Sequence, residues 1–183
     1  MQKINQVFGK EVINQTSGEK IAAVHDVVLD RDLRQIVALL IRGSGLFAET
    51  HVVRWSAVAS MGDVVIVRTE PPLPTLEQDA EVSELSRNAH RITGTLVISD
   101  KGEQLGSIGD IFINEQGQVI AYEVKQGMLH SDRYLAIENV QAVGKDAIIS
   151  RIAELPRVKD LGTQYQPVGQ NPTSSEEEGA RNA

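Results

Sequence analysis

The chain has 183 residues, 18 Lys+Arg against 25 Asp+Glu for a net charge of -7, and no cysteine. That length fits one ordinary domain or two very small ones, and the 41% hydrophobic and 23% charged shares are those of a soluble globular protein. Lack of Cys excludes disulfides, thiolate metal sites and Cys nucleophiles, while the acidic balance argues against nucleic acid, whose affinity rests on Lys and Arg neutralising phosphates.

Two copies of one unit are legible, the first from Val7 and the second from Ile92. Gly9 aligns with Gly94, Val12-Ile13 with Val97-Ile98, Gly18-Glu19 with Gly102-Glu103, Asp26 with Asp110, and Gln35 to Ala38 with Gln118 to Ala121. Later, Ser56-Ala57-Val58 faces Glu138-Asn139-Val140, and Gly62 to Val67 faces Gly144 to Ile149. The offset falls from 85 to 82 along the copies, in short deletions of the kind that turns accept and strands do not.

In chain order, Val24, Val27 and Leu29 predict a strand that ends at the polar turn Asp30-Arg31-Asp32. The apolar run Ile36 to Ile41 predicts a fully buried strand, being too short for a helix. A loop with an apolar tip follows at Leu46-Phe47-Ala48, and Gly127-Met128-Leu129-His130 matches it in the second copy. Thr50 to Arg54 alternates as a strand does, Trp55 begins a short helical turn, and Met61-Gly62-Asp63 is a hairpin turn before Val64 to Val67. Five or six short strands in about 65 residues with Gly at the turns predict a small closed β-barrel, closure removing the edges that invite aggregation.

The joints read differently. Glu70-Pro71-Pro72-Leu73-Pro74 is a stiff breaker. Thr75 is a candidate cap for a helix over 76–90, with the stripe Leu76, Ala80, Val82, Leu85 and Ala89 either packing on a barrel or docking a partner. From 161 the chain turns polar, with Glu176-Glu177-Glu178, and is expected to be a disordered acidic tail. The expected fold is mainly all-β: barrel 1 at 1–70, a Pro-rich linker and helix at 71–91, barrel 2 at 92–160, and the tail at 161–183. The longest apolar runs are far short of a membrane span. The first residues lack a signal-peptide core, so the expected location is cytoplasmic.

These residues resemble the PRC-barrel domain. The resemblance lies in Gly9-Lys10-Glu11-Val12 with Gly18-Glu19-Lys20-Ile21, Val24 to Asp30, Ile36 to Ile41 and Val53 to Val58. In the second copy it lies in Gly94, Gly102 to Gly106, Ile108 to Ile111 and Leu135 to Val140. The family often carries Pro before the Trp of this pattern, where Arg54 stands here; the second copy has Ile137 in place of the Trp. The family includes the cytoplasmic domain of the photosynthetic reaction-centre H subunit and the C-terminal domain of a ribosome maturation factor that binds a small-subunit ribosomal protein. The resemblance implies a non-catalytic module that holds other macromolecules. It leaves two readings: an adaptor on a photosynthetic or other membrane complex, or a ribosome-maturation factor acting through a basic ribosomal protein. Either partner would be a protein with a basic surface; homo-oligomers are compatible with both.

No catalytic, cofactor or metal residue is expected. His25, His51, His90 and His130 form no HxH or HExxH spacing. His25 precedes Asp26 in a strand, which predicts opposite faces for the two side chains, and its counterpart is Gly109. Asp26 and Asp110 are expected to accept backbone N–H bonds. Gly43-Ser44-Gly45 fails the phosphate-loop patterns, and no GxSxG elbow occurs. Trp55 is expected to pack rather than bind. The candidate partner-binding residues are the loop tips Leu46, Phe47, Met128 and Leu129; such apolar tips either plug the open end of a barrel or anchor a partner or the sister barrel, and burying Leu46 and Phe47 would contribute about 1.5–3 kcal/mol each.

Overall fold

The short β-branched runs of each copy become strands. The computed structural model describes residues 1–43, 48–69, 71–88, 92–127 and 133–164. The first half contains β1 (Gln2–Lys3), β2 (Glu11–Asn14), β3 (Lys20–Leu29), β4 (Ile36–Arg42), β5 (Thr50–Arg54), β6 (Val58–Met61), β7 (Val65–Val67) and α1 (Ala80–Asn88). The second contains β8 (Leu96–Ser99), β9 (Gln104–Ile113), β10 (Val119–Lys125), β11 (Arg133–Ala136), β12 (Val140–Val143), β13 (Ala147–Ser150) and α2 (Val158–Gln164). The mainly β, two-barrel architecture expected from the repeat is present.

The two sheets have the same order, β5-β4-β3-β2-β7-β6 and β11-β10-β9-β8-β13-β12. In each, one parallel pair joins the first strand of the unit to its last (β2 with β7, β8 with β13). Among the described residues no ladder joins the end strands β5 and β6, or β11 and β12. Short 3-10 turns, Trp55–Ala57 and Ile137–Asn139, carry the chain from one end strand to the other. Covalent connection rather than a last hydrogen-bonded seam completes each barrel.

Local hydrogen bonds repeat as well. Gly9 N–H donates to Val24 O and Val24 N–H to Lys10 O; in the second copy Gly94 donates to Ile108 and Ile108 to Thr95. The sequence alignment slips by one residue in the last hairpin. Val12 pairs with Val65, and Val97 pairs with Ile148, so Val65 corresponds to Ile148 rather than Ala147. The turn after Val143 holds one residue more than the turn after Met61, and two similar aliphatic runs hide such a shift until pairing fixes it.

β4 is buried on both faces, as its unbroken apolar run predicts. Leu39 and Ile41 face the barrel interior. Ala38 and Leu40 face outward and pack with Val28, Val52 and Val82 beneath α1. The helix is shorter than expected and Thr75 does not cap it. Val52 donates to Pro74 O (2.9 Å) and Leu76 to Thr50 O (3.0 Å), which holds residues 74–76 extended along the edge of β5. Asp79 takes the capping role, its Oδ1 accepting from Val82 N–H at 3.1 Å.

α2 was not anticipated: residues 161–164, placed in the tail by composition, continue a helix that starts at Val158. Its Leu161 is fully buried with Phe112, Ile120, Ala121, Tyr134 and Ala136 on the outer face of barrel 2. Pro156 accepts from Tyr134 N–H along the β11 edge, the counterpart of Pro74 on β5.

The barrels are fused. Ile36 N–H donates to Gly117 O at 2.9 Å and Val119 N–H to Arg34 O at 2.8 Å, with Gln35 facing Gln118 in an antiparallel bridge. These reciprocal bonds join equivalent turns in the manner of an isologous interface. One hydrophobic cluster runs through the joint, from Val12, Leu39 and Val65 in barrel 1 to Ile108, Tyr122 and Ile148 in barrel 2.

Candidate interaction surfaces

In the chain, the segments that carry the loop tips join β4 to β5 and β10 to β11. Leu46, Phe47, Met128 and Leu129 themselves fall outside the described residues. At the foot of the first loop the Arg42 guanidinium donates to Thr50 Oγ1 (2.8 and 3.2 Å). At the foot of the second, Gln126 Nε2 donates to Leu105 O at 3.0 Å. Here an open cleft of about 580 Å³ is lined by Gln104, Gly106, Ser107, Lys125 and Gly127 among others.

His25 and Asp26 do not take opposite faces. Val24 pairs with Ile41 and Asp26 with Leu40, so His25 is the extra residue of a β-bulge and both side chains are exposed. A bulge breaks the two-residue alternation locally. Gly109 is the extra residue in the second copy, where Ile108 pairs with Val124 and Asp110 with Glu123. Each aspartate accepts from the next backbone N–H, Asp26 from Val27 and Asp110 from Ile111, both at 2.8 Å. The backbone-bonding role expected of both is present.

Asp110 nevertheless differs from Asp26. It is only 7% exposed, and its Oδ2 is buried with no hydrogen-bond partner. Opposite it stands Glu123, 3% exposed. Directly paired residues of an antiparallel ladder point to the same face, where like charges oppose each other. In barrel 1 the position opposite Asp26 is Leu40. β1 crosses over to cover the acidic pair, Gln2 pairing with Ile113 and Lys3 with Phe112. Lys3 Nζ donates to Glu123 Oε1 at 2.8 Å and lies 5.4 Å from the centre of the Phe112 ring. Asn5 N–H makes a long contact to Asp110 Oδ1, 3.4 Å. Sequence reasoning missed this cluster; its signal was a single acidic residue inside the apolar run Val119 to Val124.

Trp55 is half-buried and packs against Gly117 of the other barrel, in keeping with its expected packing role. Arg54 holds φ -60 and ψ 142, a conformation that proline also adopts. An arginine at that place adds a clamp: it meets Asp79 at 2.7 and 2.8 Å and Glu81 at 2.6 Å, fastening the start of α1 to the barrel. Burial pushes the hydroxyl pKa of Tyr122 up, and that of Tyr134 too, helped there by the charges of Asp160 and Glu138. Tyr122 Oη donates to Leu33 O at 2.9 Å across the joint.

Among the described residues no group of three or more His, Asp or Glu side chains could hold a metal ion. His51 Nδ1 lies 3.2 Å from Leu73 O, and His90 and His130 fall outside the described residues. Among the described residues no helix is long and apolar enough to cross a membrane. No curated protein matches the chain. The family model for the PRC-barrel domain matches twice, over residues 1–71 and 86–156. With the same strand order, the same bulge and the same parallel pair in both halves, the chain belongs to the PRC-barrel family and carries that domain in tandem.

Proposed function

We propose that this tandem PRC-barrel protein is a non-enzymatic adaptor that holds other proteins in an assembly, on the cytoplasmic side of a photosynthetic or other membrane complex. The observation that carries the reading is the fusion of two such barrels around one continuous aliphatic core. Side chains fill the interiors, so the surface and the loops are what the chain offers a partner. The net charge of -7 favours a partner with a basic surface, met at a rate that depends on salt. Leu46, Phe47, Met128 and Leu129 are the proposed apolar anchors within that surface.

The test is affinity capture from native cells at low salt with the full chain and with Phe47→Ser combined with Leu129→Ser. The expected result is recovery of a basic subunit of a membrane complex, weaker at physiological salt and lost in the double variant while its circular dichroism is unchanged. Recovery of a basic ribosomal protein would assign the chain to ribosome maturation instead. Recovery indifferent both to salt and to the loop substitutions would overturn the adaptor reading.

A further inference from the structure

β9 is ten residues long, and its two edges are treated differently. β10 covers one edge from Ser107 to Ile113. On the other edge β8 covers Gln104 to Ser107, Gly94 and Thr95 bond Ile108, and the last two residues are covered only by β1. β1 has just two residues, which is short for a strand that must hold itself in place. Beneath it lie Glu123 and Asp110, side by side on one face and both more than nine-tenths buried. Lys3 supplies one cation to this pair of carboxylates, and Asp110 Oδ2 receives no donor at all. A buried polar atom without a partner calls for an explanation, and two opposed carboxylates under a single ammonium make this edge electrostatically unsatisfied.

The geometry points to a strand-acceptor site on β9 in which β1 is a replaceable occupant and the better occupant is an extended basic segment of a partner protein. Such a segment would take the edge that β1 vacates and add to it through main-chain bonds, as peptides do in β-augmentation. An arginine at the place of Lys3 would put a fork of donors over both carboxylates, where lysine offers a point charge that reaches one. Val7 is fully buried and anchors the chain beyond it, so exchange needs β1 and the turn Ile4–Gln6 to lift, with the Ile4 side chain leaving the core. This inference rests on the reading of the protein as an adaptor for basic partners, and it names one place where such a partner would be held.

The test uses the full chain and a fluorescein-labelled peptide of residues 1–7 in which arginine replaces Lys3. Anisotropy titrations would be run on the unmodified chain, on Lys3→Ala, and on Lys3→Met, which keeps the apolar stem over Phe112 if the alanine variant is poorly folded. Saturable binding is expected, at least tenfold tighter to either Lys3 variant than to the unmodified chain, with the Phe112 and Ile113 amide signals shifting on titration. Glu123→Gln added to the Lys3 variant should weaken binding tenfold or more. The arginine peptide should bind at least fivefold tighter than its lysine counterpart, and Asp110→Asn should abolish that preference. Absence of saturable binding to folded Lys3→Met overturns the proposal. So does binding that Glu123→Gln leaves within twofold, or a Lys3→Met dimer in sedimentation that the peptide cannot dissolve, since the site would then serve a second copy. Peptide binding without capture of any basic protein from cells would count against the adaptor reading alone. Capture without peptide binding would count against this site alone.

Discussion

Trp55 lies so close to Gly117 that a Cβ on the glycine would stand 2.3 Å from the indole Cε2. Gly117 also holds φ 73, in the left-handed region. Gly117→Ala is therefore expected to cost about 1–3 kcal/mol, from backbone strain and overpacking together. In a Trp55→Ala background the same substitution should cost less, because the overpacking part disappears. Urea denaturation of the four proteins of this cycle gives the coupling; strictly additive effects would refute the contact.

The Tyr122 hydroxyl, donating to Leu33 O, is the side-chain counterpart of that joint. Tyr122→Phe is expected to cost about 1–2 kcal/mol, leaving the carbonyl without its donor. The shared core predicts that the barrels unfold together. Trp55 fluorescence reports on the joint, where its ring meets Gly117, and far-UV circular dichroism on the whole chain. Their denaturation curves should coincide, and two separated transitions would show barrels that fold independently.

The Arg54 clamp makes a pH prediction. Burial by itself raises the pKa of the Asp79 carboxyl, but hydrogen bonds from Arg54 and Val82 N–H, with the Arg54 charge, overcome it and hold the group below its ordinary value. A depressed folded-state value means stabilisation that is complete above the unfolded value, about 3.9, and lost as pH falls through the folded one. Asp79→Asn should cost under about 1 kcal/mol at neutral pH, as for a solvent-screened pair, and the gap to the unmodified protein should narrow in acid. Thermal melts at neutral pH and near pH ~3 check it; a gap that widens in acid would contradict the assignment.

Leu161 carries the docking of α2. Leu161→Ala is expected to destabilise by about 2–4 kcal/mol and to uncover Phe112, Ile120 and Tyr134, which share its cluster. Raised binding of a hydrophobic dye under native conditions would show the exposed face. An unchanged melting curve would mean that the helix contributes little to barrel 2.

Repetition, strand content and the buried character of β4 were legible because each is written in local pattern: glycines at turns, β-branched runs, an apolar stretch too short for a helix. The family followed from that pattern laid down twice. Chain composition misled where tertiary bonds compete with local preference. The edge of β5 captured residues 74–76 and delayed α1, and the apolar outer face of barrel 2 recruited Leu161 from a polar stretch into a helix. Bulges displaced His25 and Gly109 from the alternation a linear reading assumes. The acidic pair was invisible for the same reason: Asp110 and Glu123 are 13 residues apart and become neighbours only through the register of β9 on β10. Lys3 reaches them from the far end of the chain because β1 leaves its own barrel. Local sequence sets which segments become strands; it carries no information about which edge a distant strand will complete, since any unpaired main chain offers the same donors and acceptors.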